Sequence, residues 1–281
     1  MFKLIQSIKI IRPVNCLMAM VGVIVGAYLT WLKPIYYTPI MSAIAAGLVC
    51  AAGNVINDLV DIKIDTINHP ERILVRGTLS KRYALWLGSL LNILAVIVAF
   101  SVNLPVTLIA VSAILLLYFY NYFAKRIIIL GNVIIALLAA LIFITGGIAV
   151  DYKLAFYLPG PLVGSLFAFL FHLVREIVKD IEDIKGDRKA GIRTFPQIFG
   201  IQKSLMVVIF LFLILVVFTY VPVIRGWFGS WYKIITVYIV DLPLLAFLIF
   251  LWGNPSPKML RIGSIWLKIG MGLGIIALLG A

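Results

Sequence analysis

The chain has 281 residues, of which 63% are hydrophobic and 12% charged, and its formal net charge is +13. A soluble domain carries about 25% charged residues. This composition therefore excludes a soluble globular fold and predicts an all-helical, multi-pass membrane protein built as one domain over 1–281. The basic excess is not a nucleic-acid footprint, because the bases lie between hydrophobic runs, as bilayer orientation requires.

The chain opens on a basic, amphipathic stretch from Lys3 to Arg12 that runs into an apolar segment without a small-residue cleavage site, so no removable signal is read. A spanning helix needs roughly 20 apolar residues. Nine such runs are predicted, over 13–32, 38–57, 83–102, 104–122, 127–149, 157–178, 203–222, 231–251 and 260–280. Breakers separate them: Lys33-Pro34, Asn103-Leu104-Pro105, Arg225-Gly226 and Asn254-Pro255-Ser256-Pro257. Pro159-Gly160-Pro161 is either a connection or the first turn of the sixth span, where proline is tolerated. The two cysteines, Cys16 and Cys50, lie in apolar runs and read as packing residues.

Nine crossings put the termini on opposite sides. Of the 24 Lys and Arg residues, 19 then fall on the N-terminal side and four in the opposite loops (Lys33, Lys153, Arg225 and Lys233), while Lys268 lies inside the last span. Because Lys and Arg accumulate in cytoplasmic loops, the N-terminus is expected on the cytoplasmic side of a cell membrane.

The acids are concentrated further. Nine of the eleven lie in two stretches, Asp58 to Glu71 and Glu176 to Asp187. Asn54, Asp58, Asp61 and Asp65 are spaced four, three, four, and Glu176, Asp180, Asp183 and Asp187 repeat that spacing. On a continuous helix such positions fall within about 60° of arc. Both stripes end an apolar run on the N-terminal side, so they are expected to meet at one cytoplasm-facing polar site, and their match hints at an internal duplication. Carboxylates gathered near hydrocarbon are costly and repel one another, which calls for cations. Carboxylate oxygens suit Mg2+, Mn2+ or Ca2+, whereas zinc would want Cys or His. Mg2+ takes one or two carboxylates and completes its shell with water and phosphate oxygens, so two acidic helix ends predict a clamp for a diphosphate.

Cations nearby suit the same ligand. Arg72 follows the first stripe, and Lys125 and Arg126 lie between the fourth and fifth spans, where they either neutralise phosphate oxygens or anchor the chain to the membrane. Tyr118 and Tyr122, one turn apart, face a substrate or form an interfacial belt. Arg12, Pro13 and Asn15 open the first span on the same side. His69 and His172 make no metal pair, and His172 reads as a packed helix residue.

Asn57-Asp58-x-x-Asp61-x-x-x-Asp65 resembles the first signature of the UbiA-type intramembrane prenyltransferases, and Asp180-x-x-Asp183-x-x-x-Asp187 resembles the second. Nine spans, the Asn68-x-x-x-Arg72 segment and the Lys125-Arg126 pair also match, so the resemblance covers essentially the whole chain. Ile73 departs from the proline usual after that arginine, which bears on the loop's shape and not on the chemistry. The stretch from Arg175 to Thr194 is most similar to the archaeal ether-lipid branch of the family.

The resemblance implies transfer of a prenyl chain from an isoprenyl diphosphate to a lipid-like acceptor. In the archaeal branch, geranylgeranyl diphosphate would be the donor and the sn-2 hydroxyl of geranylgeranylglyceryl phosphate the acceptor, giving the second ether of a membrane lipid. It implies Mg2+, two ions bridging the diphosphate, held by Asp58, Asp61, Asp65, Asp180, Asp183 and Asp187, with Asp61, Asp183 and Lys125 as catalytic residues. Asn57, Arg72, Lys125, Arg126, Tyr118, Tyr122, Arg12, Asn15 and Glu176 would bind substrate. Arg188, Lys189 and Arg193 are the candidates for the acceptor phosphate. Two rivals remain. One is an aromatic acceptor, as in quinone biosynthesis. The other is a membrane cation transporter, whose acids would sit nearer the midplane on interrupted helices. The oligomeric state stays open.

Overall fold

The computed structural model describes residues 2–32, 36–189 and 191–280, with the Phe2 side chain left aside. Lys33 and Pro34, read above as a breaker, lie outside the described residues. Among those described the chain is all helix, with no strand. We number the helices α1 (Phe2–Ile10), α2 (Pro13–Tyr28), α3 (Tyr37–Val60), α4 (Ile62–Asn68), α5 (Lys81–Phe100), α6 (Leu104–Tyr122), α7 (Leu130–Val150), α8 (Pro161–Glu182), α9 (Ile184–Lys189), α10 (Phe195–Phe199), α11 (Ile201–Ile224), α12 (Ser230–Gly253) and α13 (Pro257–Leu278). Eight of these are long and apolar enough to cross a membrane, and α1 with α2, bent by 50°, makes a ninth if the pair is one span. Large aliphatic and aromatic side chains such as Ile97 and Phe210 point outward along them, as lipid contact requires.

Helix starts follow local chemistry. Ser80, Asn103 and Ser256 each accept a hydrogen bond from the backbone N–H three residues on, which satisfies one orphan donor of the first turn. Pro161 stands in the first turn of α8, so the Pro159-Gly160-Pro161 stretch falls on both of its alternatives.

Between membrane helices, close packing replaces the hydrophobic effect as the source of association, and small residues let backbones approach. α2 packs on α3 and α7, α3 on α5, and α8 on α7, α11 and α13. At the α2–α7 crossing a Cβ on Gly26 would stand 2.2 Å from the Phe143 carbonyl oxygen, and one on Gly146 would stand 2.0 Å from that of Val23. A second contact zone joins α8, α11, α12 and α13 through Phe171, Phe212, Leu248 and Leu267, with Phe171 edge-on to Phe212 at 6.0 Å.

α12 is not uniform. Its segment Ile234–Asp241 is π-helical. Asp241, 2% exposed, has Oδ2 2.7 Å from Thr219 Oγ1, and the Tyr232 hydroxyl donates to the Thr219 carbonyl at 2.8 Å.

Candidate active site

The two acidic stripes do not lie on continuous helices. α3 stops at Val60 and α4 starts at Ile62, leaving Asp61 at the break with φ −89° and ψ 4°. α8 stops at Glu182 and α9 starts at Ile184, leaving Asp183 at φ −89° and ψ 2°. The predicted single helical face is thus corrected to two arms, each interrupted at an equivalent aspartate. Aspartate competes for backbone hydrogen bonds and favours helix ends over interiors, which suits it to both breaks.

The arms dock on each other. Asn68, at the end of α4, donates from Nδ2 to the Asp183 carbonyl at 3.2 Å, and His69 Nε2 lies 3.3 Å from Asp183 Oδ1. Gly186 makes room for this contact, since a Cβ there would meet the Asn68 amide at 2.3 Å. The side chain would give way rather than the backbone. We therefore expect Gly186→Ala to fold but to lose the Asn68 bond, with turnover falling about tenfold, the scale of a slight misplacement of reacting groups. Steady-state kcat beside an unchanged thermal midpoint tests this; an unaltered kcat shows that the docking bond is dispensable.

Each acid of the first arm carries an internal cation. Arg72 reaches back from the loop after α4, with Nη1 3.3 Å from Asp58 Oδ1 and 2.5 Å from Asp65 Oδ2. Arg12 also contacts Asp58, and Lys125, on the 3-10 turn Ala124–Arg126, contacts Asp61. Asp58 and Asp65 are only 5% and 3% exposed, so an unpaired charge on either would be expensive. Arg12 makes its contact from a left-handed backbone, φ 54° and ψ 72°, which costs a non-glycine residue on the order of 1 kcal/mol. That turn sets the bend between α1 and α2.

Amides order the rest. Asn57 Nδ2 donates to Asp61 Oδ2 at 3.0 Å and to Asn121 Oδ1 at 2.9 Å. Asn132 Nδ2 donates to Asp180 Oδ2 at 2.8 Å. Glu176, 7% exposed, accepts from Arg175 at 2.7 Å.

The acids outside the spans differ in character. Burial pushes Asp65 up to about 6 against the pull of Arg72. Burial, reinforced by the neighbouring Asp183 carboxylate, pushes Asp187 up to about 7. Asp183 is half-buried, but the hydrogen bond from His69 and the charge of Lys179 outweigh desolvation and hold it below the usual carboxylate range. The same bond raises His69. The donor set is carboxylate oxygen throughout, which fits a hard dication. Among the described residues no three acids or histidines converge into a complete shell. That is compatible with a metal whose shell is finished by water and phosphate oxygens.

Asn57 and Glu176 line the polar end of a cavity of about 380 Å³ whose walls are mostly apolar, including Phe143, Phe167 and Phe171. Asn15 and Arg12 line it as well. Tyr118 and Tyr122 do not. They stack on each other with centroids 6.3 Å apart, while Tyr120 lines the cavity. Two residues along a helix is about 200° of rotation, so the one-turn pair necessarily faces away from the side that Tyr120 presents. Arg126, Arg188, Lys189 and Arg193 are exposed and line neither this cavity nor the basic cleft beside it. Sequence reasoning missed His69, Asn121, Asn132 and Tyr120. The signal for the two asparagines was a polar residue at or near the end of an apolar run. His172 is a packed residue as expected, with Nδ1 3.0 Å from the Ala168 carbonyl oxygen.

The model of the UbiA prenyltransferase family matches residues 17–267. The digeranylgeranylglyceryl phosphate synthase of Thermococcus sibiricus is 36% identical over 97% of this chain and 95% of its own. A solved structure of a digeranylgeranylglyceryl phosphate synthase superposes with a TM-score of 0.75 at 32% identity, covering 100% of this chain and 99% of that one. A UbiA homologue from Archaeoglobus fulgidus bound to GPP and Mg2+ shares the fold, with a TM-score of 0.63 at 18% identity over 97% of this chain and 99% of that one.

Proposed function

Because the chain belongs to the UbiA prenyltransferase family, we propose that it transfers the geranylgeranyl group of geranylgeranyl diphosphate to the sn-2 hydroxyl of geranylgeranylglyceryl phosphate, with Mg2+, forming the second ether of archaeal membrane lipids. The observation that carries this reading is two equivalent acid-bearing arms docked on each other, with Asn57 of one and Glu176 of the other lining an apolar cavity, in a chain 36% identical to a synthase of that name. The protein works as one domain of nine spans, α1 and α2 forming the first. Its N-terminus and site face the cytoplasm, as the excess of bases on that side supports.

The six aspartates would hold Mg2+, two ions in this reading, for the diphosphate. Bound Mg2+ would supply neutralisation of the charge that develops on the leaving diphosphate. Arg72 and Lys125 already stand among these carboxylates, and their donors serve the phosphate oxygens left uncovered. The bond between prenyl C1 and the diphosphate oxygen breaks, its electron pair leaving with the diphosphate. C1 then bonds to the sn-2 oxygen, whose proton passes to a carboxylate at the cavity mouth or to a diphosphate oxygen. The apolar walls keep water from the allylic cation, and the ring of Tyr120, which lines the cavity, would stabilise it by a cation–π contact.

Product analysis by mass spectrometry tests the reading. Purified protein with Mg2+ and geranylgeranyl diphosphate, offered geranylgeranylglyceryl phosphate and a set of aromatic acids together, is expected to yield the diether phosphate, and none once chelator is added. A prenylated aromatic product would overturn the acceptor. Absence of any product or released diphosphate, beside cation flux in liposomes, would overturn the enzyme.

A further inference from the structure

Lys268 has no part in the chemistry above. It sits halfway along α13, inside a membrane-spanning helix, where an ionisable side chain is costly and marks a functional site by default. Its Nζ donates to Asn15 Oδ1 at 2.6 Å, level with the first turn of α2. An ammonium has three donors, and among the described residues no carboxylate lies within ion-pair distance of this one. Two cations of α8 face the same space. Arg175 gives one N–H to Glu176, and its Nε is buried without a partner. Lys179, one turn on, has no ion-pair partner among the described residues.

With Arg12 and Arg72, these three line a cleft of about 360 Å³ whose acids are Glu182 and Asp183. Arg12, Arg72 and Arg175 are already paired with Asp58, Asp65 and Glu176, which leaves Lys179 and Lys268 as the uncommitted cations of the cleft among the described residues. Arg12, Asn15, Arg175, Lys179 and Lys268 also line the apolar cavity, so the two spaces share this basic wall. The spare donors of Lys268 and Arg175, two uncommitted ammonium groups and an adjoining apolar space together suit a ligand with an anionic head and an isoprenoid chain.

We propose that this cleft binds the phosphomonoester of the acceptor lipid, through Lys268, Arg175 and Lys179, while the chain of that lipid enters the apolar cavity. The proposal rests on the prenyl-transfer reading and names its acceptor subsite. A phosphomonoester brings about −1.5 to −2 charges and three acceptor oxygens, which match the unspent donors. The donor diphosphate is drawn instead to the carboxylates by the cations it carries. A cleft that holds the uncommitted ammonium groups of Lys179 and Lys268 suits an anion that brings none. This proposal seats the acceptor phosphate at Lys268, Arg175 and Lys179 rather than at the exposed Arg188, Lys189 and Arg193.

The test uses the full chain in detergent, as wild type, Lys268→Met and Lys268→Arg. Each is titrated by calorimetry with geranylgeranylglyceryl phosphate, with the same lipid lacking its phosphate, and with geranylgeranyl diphosphate plus Mg2+. Lys268→Met is expected to bind the phosphorylated lipid about tenfold or more weakly, the scale of one charge-assisted hydrogen bond. It should bind the unphosphorylated lipid and the diphosphate as wild type does, which also reports that it is folded. Lys268→Arg should keep most of the affinity. Equal binding of the phosphorylated lipid by wild type and Lys268→Met overturns the proposal. So does a loss confined to the diphosphate, which would make the cleft a donor subsite, or displacement of the lipid by equimolar inorganic phosphate. Turnover is read separately. A wild type that binds the phosphorylated lipid through Lys268 yet forms no ether overturns the transfer reading and leaves the subsite standing.

Discussion

Asp183→Asn is expected to lower turnover by about 10²–10³-fold, the cost of removing one preorganised electrostatic contact from a transition state. The purified protein should keep its thermal midpoint. The reasoning is local. Asp183 stands at the break between α8 and α9, its carbonyl accepts from Asn68, and its side chain accepts from His69. Asparagine keeps the shape and can still meet His69, so the docking of the two arms survives. What is lost is a carboxylate held ionised by that histidine and by Lys179. Asp61→Asn, at the equivalent break, should behave alike, with Lys125 losing its ion-pair partner. Product formation over time, beside a melting curve in the same detergent, decides the matter. Near-wild-type turnover in either variant sinks the two-arm clamp.

Gly146→Leu is expected to prevent accumulation of folded protein. Adding bulk to a packed interior usually costs about 1–3 kcal/mol, because side chains can shift. Here the obstacle is backbone. The first added carbon alone would stand 2.0 Å from the Val23 carbonyl oxygen and 2.6 Å from the Ala27 nitrogen. α2 and α7 would have to separate along their length, and α2 carries Asn15 into the cavity wall. Gly253→Leu is the control, since a Cβ there meets nothing within 4 Å. Monodisperse yield after size-exclusion chromatography is the readout. Recovery of Gly146→Leu at the level of the control would show that the crossing is not tight.

Composition and apolar run length made the all-helical membrane class legible, and motif spacing made the acids of both arms legible. Their breaks were not, because a four-three-four spacing reads as one helical face, and nothing local in Val60-Asp61-Ile62 says that the backbone turns there. The choice left open for Tyr118 and Tyr122 has the same origin. A periodic pair identifies a face, but which face meets the cavity is settled by α3 and α7 packing on α6. Lys268 carried its own signal, a base inside an apolar span. Its meaning depended on Asn15, 253 residues away in sequence.

The π segment of α12 has a consequence for how this helix is read along its sequence. In an ideal α-helix, residues nine apart point about 180° away from each other. Tyr232 and Asp241 are nine apart, yet both reach Thr219. The wide turns of Ile234–Asp241 between them, each holding more residues than an α-turn, reduce that rotation. The periodicity of α12 therefore runs in two registers, one before the wide turns and one after. An apolar face extrapolated from Leu244 and Leu248 back to Tyr232 points to the wrong side of the bundle.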